Sequence, residues 1–247
     1  MLVVNPAAMT APAKGEREAW WHRGMREIFF RLLDPIVSGR SIRSAVDVSW
    51  GSGYFSGMLQ DRYDWRVFPL AIGWEGTYGV ERLARADAGA LPFPDGAFDA
   101  ALSVDIVGNV PRGQETGPLR ELTRLLAPKG LLVLRAPALE LFHSRHSEFV
   151  GEQQRFTRER LIELAEASGI RVLRVSYMNT LLSPAALAKF RIWEPLMRKP
   201  PANGLLPVPW WLDKLLYAPL ALESYWLGAG LNFPLGQTVL LIGEKAD

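Results

Sequence analysis

Apolar positions along this chain follow two rhythms. Trp20, Trp21, Met25, Ile28, Phe29, Leu32, Leu33 and Ile36 recur at helical spacing, which predicts an amphipathic helix over residues 16–37. Short apolar runs follow, bounded by Gly, Pro and Asp. They cover residues 44–48, 67–72, 83–86, 98–104, 131–135, 170–177 and 238–243. Their length and near-continuous apolar character read as buried strands. Residues 54–63, 119–126 and 157–168 read as the helices between them. Pro128-Lys129-Gly130 is placed to end the second of these, Thr157 to cap the start of the third, and Gly169 to stop it.

Strands alternating with helices predict an α/β fold with a mostly parallel sheet covered on both faces. Residues 178–236 break the rhythm. They are rich in Trp, Leu and Pro, contain Trp210-Trp211 and Tyr225-Trp226, and read as a helical insertion or lid. The Pro/Ala-rich residues 1–15 read as a mobile tail. The expected organisation is therefore a tail (1–15), an α/β domain (16–177 and 237–247) and the insertion (178–236).

Composition narrows the function classes. The length of 247 residues suits one α/β domain with an extension. A net charge of only +2, without a dense Lys/Arg tract, gives no footing for nucleic acid. There is no cysteine, which excludes disulfides, thiol nucleophiles and cysteine-based metal sites. His22, His143 and His146 are the only histidines, and no metal site is expected from them. No basic leader precedes an apolar core, and no apolar run approaches the roughly 18 residues of a membrane span. A cytoplasmic location is expected, with peripheral membrane contact through the aromatic 178–236 segment as an addition to it.

The candidate chemistry starts at Ala45-Val46-Asp47-Val48-Ser49-Trp50-Gly51-Ser52-Gly53-Tyr54-Phe55. A strand ends in an acid and a glycine turn, and a helix follows. Glycines let backbone pass close to a ligand, and the helix start offers N–H groups, so the order builds a nucleotide-type cofactor site. Ser56 stands where a nicotinamide fingerprint would have its third glycine, which disfavours a nicotinamide-dependent oxidoreductase.

Three further segments follow in order: Asp87-Ala88 through Leu91-Pro92-Phe93-Pro94-Asp95 to Phe98-Asp99; Leu102-Ser103-Val104-Asp105; and Leu125-Leu126-Ala127-Pro128-Lys129-Gly130-Leu131-Leu132-Val133-Leu134. With these the chain resembles the class I S-adenosylmethionine-dependent methyltransferases. Trp20-Trp21 with Arg23-Gly24, His143-Ser144-Arg145-His146, Arg155-Phe156-Thr157 and Ser176-Tyr177-Met178-Asn179 resemble one bacterial subgroup, of the type 11 kind.

The resemblance implies a Rossmann-like seven-stranded sheet with the last strand antiparallel, and S-adenosylmethionine as cofactor. It implies that Asp47, Ser49, Gly51 and Gly53 line the methionine end. Glu75 is then the acid for the ribose hydroxyls, Asp87 and Ala88 lie against adenine, and Ser103 and Asp105 close the pocket. His143 and His146 follow the fifth strand, where acceptors bind in this fold, and are candidates for a base or a substrate contact. Arg155 is an anion clamp or an ion-pair partner. Tyr177 and Asn179 end the sixth strand and are candidates for facing the acceptor.

The chain differs from the family pattern at four places: Ser49-Trp50 in the turn, a short stretch between Glu75 and Asp87, Gly108-Asn109 in place of a Glu-His pair, and Glu152-Gln153-Gln154 before Arg155. Two readings stay open. One is methyl transfer to a small-molecule or lipid-like acceptor. The other is a catalytically inactive module that keeps the fold and binds another ligand or a protein. The sequence leaves the oligomeric state open.

Overall fold

The computed structural model describes residues 18–49, 54–72, 84–197, 200 and 208–246. Trp50, Gly51, Gly53 and Glu75 lie outside the described residues. The chain order is α1 (Trp20–Val37), β1 (Ser44–Ser49), α2 (Tyr54–Tyr63), β2 (Arg66–Ile72), β3 (Ala84–Ala86), β4 (Phe98–Val104), α3 (Thr116–Leu125), β5 (Leu126–Pro137), α4 (Arg145–Val150), α5 (Arg158–Ala167) and β6 (Ile170–Met178). Then come α6 (Ser183–Ala188), a π-helical turn (Lys189–Trp193), α7 (Glu194–Met197), α8 (Trp210–Gly228) and β7 (Thr238–Lys245).

The sheet has seven strands in the order β3-β2-β1-β4-β5-β7-β6. All run parallel except β7, which is antiparallel to both its neighbours. The order reverses between β1 and β4, the switch point outside which ligands bind in open α/β sheets.

Alternation along the strands divides the core into two layers. Val46, Val48, Leu132, Leu134 and Leu241 face α3 and α5. Ala45, Val67, Leu102, Val133 and Ile242 face α1, α2 and α8. Helix α8 crosses α1 closely because position 24 is glycine: a Cβ there would lie 2.5 Å from Leu220. Tyr217 donates its hydroxyl to Glu27 (2.5 Å), and Asp213 accepts from the Trp20 amide (2.8 Å) and Arg23 (3.1 Å).

One strand departs from the expected bounds. β5 begins at Leu126 and runs through Pro128-Lys129-Gly130, read above as a helix stop. Leu126 is fully buried and pairs with Phe98, and a bulge between Phe98 and Ala100 takes up the extra residues.

Because β6 runs with β1, β4 and β5, residues 179–237 leave and rejoin the sheet at its carboxyl edge, where Met178 pairs with Thr238. No helix of the described residues is long and apolar enough to cross a membrane.

Candidate active site

At the switch point, Asp47 is buried within β1. Its Oδ2 accepts from the Ser56 hydroxyl (2.6 Å), and its Oδ1 is buried without a partner among the described residues. Burial raises its pKa, and hydrogen bonds from Ser56 and Ser49 only partly offset that. Ser49 is the last residue of β1. Ser103 sits beside Val48 in register, and its hydroxyl is likewise buried without a partner. By strand alternation it faces the layer opposite to Asp47.

Asp105 follows β4 in a left-handed conformation (φ 63°). Its amide donates to the Arg135 carbonyl (2.9 Å), and its carboxylate pairs with both arms of the Arg135 guanidinium. Asp87 is exposed and closes its own turn, with Oδ1 accepting from the Gly89 amide (2.9 Å), while Ala88 is buried.

A second polar group gathers beyond β5. Helix α4 starts in a reciprocal cap between Ser144 and Ser147. His146 is half-buried on its first turn. Burial lowers its pKa first; Asp105 and Glu194 pull it up, and Lys189 and Arg155 push it down, leaving it below the ordinary 6.5. Arg155 is almost wholly internal. It donates to both oxygens of Glu152, to the Ser147 hydroxyl (3.0 Å) and to the Ala138 carbonyl (2.9 Å). Burial pushes the Glu152 carboxyl up, further than Arg155 and His143 pull it down.

The loops after β4 and β5 interlock through two of the sequence departures. The Gly108 carbonyl accepts from the amides of Gln153 (2.8 Å) and Gln154 (3.1 Å). A Cβ at Gly108 would lie 2.6 Å from the Pro137 ring. Gln154 donates to the carbonyls of Val110 (2.8 Å) and Val107 (3.3 Å), and Asn109 donates to that of Val150 (3.0 Å).

Two other expected residues serve the frame. The Tyr177 hydroxyl accepts from the Arg158 amide at the start of α5 (2.9 Å), with its ring in the core. Asn179 is buried in a left-handed turn (φ 57°), its Oδ1 without a partner. Its carbonyl accepts from Ser183 and Gln237.

Asp47, Ser49, Ser103 and Asp105 thus gather around the β1–β4 junction. His143, His146 and Arg155 gather beyond β5, and the charge of Asp105 reaches His146. Sequence reading missed Ser56, Arg135, Glu152 and Glu194. The i,i+3 spacing of Glu152 and Arg155 was a usable signal. Glu194, which accepts from the Arg145 amide (3.0 Å), gave none. No cluster of three metal-ligating side chains exists among the described residues.

A family model described as a methyltransferase domain matches residues 46–134. No curated protein matches the sequence. Solved structures share its fold at low identity. A methyltransferase from Archaeoglobus fulgidus, described as S-adenosylmethionine dependent, is 14% identical, with 90% of this chain and 94% of that one covered and a TM-score of 0.55. A chain from the Haloferax volcanii complex that contains the Trm112 methyltransferase activator is 15% identical, covering 99% and 100%, at 0.54. Haemonchus contortus phosphoethanolamine N-methyltransferase 2, solved with S-adenosyl-L-methionine, is 12% identical, covering 92% of this chain and 53% of its own, at 0.52. Motif order and sheet order agree with the matched segment: residues 46–134 match a methyltransferase domain, set in a seven-stranded sheet of the fold these structures share.

Proposed function

We propose that the chain methylates a small-molecule or lipid-like acceptor, with the cofactor at the β1–β4 junction and the acceptor over the loop beyond β5. The observation that carries this reading is the unpartnered Oδ1 of Asp47. A buried acceptor left unpaired costs about 1–3 kcal/mol. A ligand bearing an ammonium and hydroxyls removes that cost, so the residues fit the cofactor. Asp47, Ser49, Ser103 and Asp105 would hold it, together with Asp87 and Ala88, and with Gly51, Gly53 and Glu75 from the sequence pattern. When bound, S-adenosylmethionine supplies an electrophilic methyl group for in-line displacement.

The chain's own residues orient and deprotonate. His146, its pKa lowered, is a neutral imidazole at pH 7 and accepts a proton from an acceptor O–H or N–H. Arg155, with Glu152 and Ser147, fixes the loop that carries His146. It acts as a positioning residue, and its guanidinium is occupied by protein. His143 borders the acceptor side, while Tyr177 and Asn179 hold the frame. Within the apolar 178–236 segment, α8 packs on α1 at Gly24 and serves as a fixed cap that favours an acceptor with a hydrophobic part.

Calorimetric titration with S-adenosylmethionine and S-adenosylhomocysteine tests the reading. Micromolar binding, weakened at least ten-fold by Asp47→Asn and measurably by Asp87→Ala, is expected. Absence of heat up to millimolar ligand, with folded protein, would overturn it and leave the inactive binding module.

A further inference from the structure

The two sides of α8 differ. Leu220, Glu223, Ser224 and Leu227 are buried, and Leu220 packs against α1. Trp211, Leu215, Ala218, Leu222 and Trp226 follow at i, i+4, i+7, i+11 and i+15, one stripe about 100° wide on the opposite side. All five are exposed, Leu215 and Leu222 by more than 60%. Trp210 and Tyr225 flank the stripe and are more exposed still. A helix on a globular domain ordinarily turns charged and polar residues outward. Here the outward side is apolar and aromatic, with Lys214 at its margin. The π-helical turn and α7 add exposed Ile192, Trp193 and Leu196.

Charge is sorted across the same segment. Residues 181–235 hold three acids and five bases. Each acid is engaged by protein donors. Glu194 accepts from the Arg145 amide, Asp213 from Trp20 and Arg23, and Glu223 from the amides of Thr180 and Leu181. Lys189, Arg191 and Lys214 remain at the surface, Arg191 donating only to the neutral carbonyls of Leu141 and Glu140. Tryptophan, tyrosine and leucine with a basic rim match the headgroup region of an anionic bilayer. A second copy of the same surface would set basic rim against basic rim, which opposes self-association.

We propose that the outward side of α8 docks the protein on an anionic lipid bilayer, lying in the interface plane with its indoles and leucines among the headgroups. The inference stands on exposure and charge sorting and is independent of methyl transfer.

The test uses the full chain with vesicles of phosphatidylcholine alone or mixed with phosphatidylglycerol. Co-sedimentation and quenching of tryptophan fluorescence by brominated acyl chains are the readouts. Binding to the mixed vesicles, weakening as salt rises, is expected. Trp211→Ser with Trp226→Ser lowers it at least ten-fold, and Lys214→Gln alone lowers it about five-fold. These positions are on the surface, and circular dichroism with thermal unfolding checks that the variants remain folded. Three outcomes overturn the proposal: no preference for anionic vesicles, variants that bind as the parent does, or a dimer in sedimentation velocity that the same variants dissolve.

Discussion

In the 87–99 loop, polar side chains hold strands and turns together. Asp99 accepts from the amides of Arg43 and Ser44 and from the Ser44 hydroxyl, which latches β4 to the entry of β1. Arg124 ties Asp95 to Glu121 and to the carbonyls of Leu91 and Phe93. In the loops beyond β4 and β5 the polar groups are more enclosed, and burial shifts their acidity toward the neutral form. His146 is lowered, and Glu152 is raised. The 87–99 stretch is therefore used mainly for architecture, while the loops beyond β4 and β5 enclose His146 and Glu152. Perturbed groups clustered at an edge mark chemistry. Resemblance at 87–99 speaks for the fold, and the acceptor is to be sought through residues 105–110 and 143–155.

The comparison breaks most decisively at His146. His146→Gln is expected to lower kcat/KM by about 10²–10⁴-fold with thermal stability nearly unchanged. The parent's rate should fall on an acid limb below the ordinary histidine value, because the base is lost as pH drops through its lowered pKa. Steady-state kinetics across pH checks this, and a variant that keeps full activity removes the chemistry from this loop.

Next in size is Gly108→Ala. The Pro137 ring in the way of the new Cβ belongs to β5 and cannot swing aside, so urea unfolding should show a loss of about 3 kcal/mol. A neutral result would mean that the interlock is loose.

Asp99→Ala should cost about 2 kcal/mol in the same measurement, without changing cofactor affinity. Burial pushes Asp99 up, but the Arg43 and Ser44 hydrogen bonds outweigh it, and the carboxyl lies below 3.8. Its contribution is present above that unfolded value and is lost as pH falls through the folded one, so the variant's deficit shrinks in acid.

Glu152 carries the opposite sign and the smallest effect. Its raised folded pKa gives stability that is full below 4.5 and lost as pH rises through the folded value. Glu152→Gln should therefore cost more near acid pH than at neutrality, a difference of roughly 2–4 °C in Tm for about 1 kcal/mol.

Much of the sheet could be read from sequence because buried strands are short apolar runs with turn residues between them. β5 was misjudged at its start, since Pro128-Lys129-Gly130 looks like a helix stop and only its partner Phe98 shows that the strand is already under way. Gly24 could be matched to a subgroup, but its reason, Leu220, lies far along the chain. The same limit hid the site's frame. Gly108-Asn109 and Gln153-Gln154 read as two separate departures, yet their backbones bond to each other and the Gln154 side chain bonds the carbonyls on either side of Gly108-Asn109, so they are one change. Sequence spacing conveys period and local caps. It does not convey which carbonyl a distant amide will find.

The clasp between α1 and α8 has a consequence for how the protein is made. Tyr217 and Glu27 are 190 positions apart. At about 5–20 residues per second, a ribosome needs roughly 10–40 s to deliver the second after the first. During that interval Met25, Leu32 and their neighbours wait without the helix that completes their cover. The nascent chain is most vulnerable through an early segment whose partner is among the later pieces to emerge.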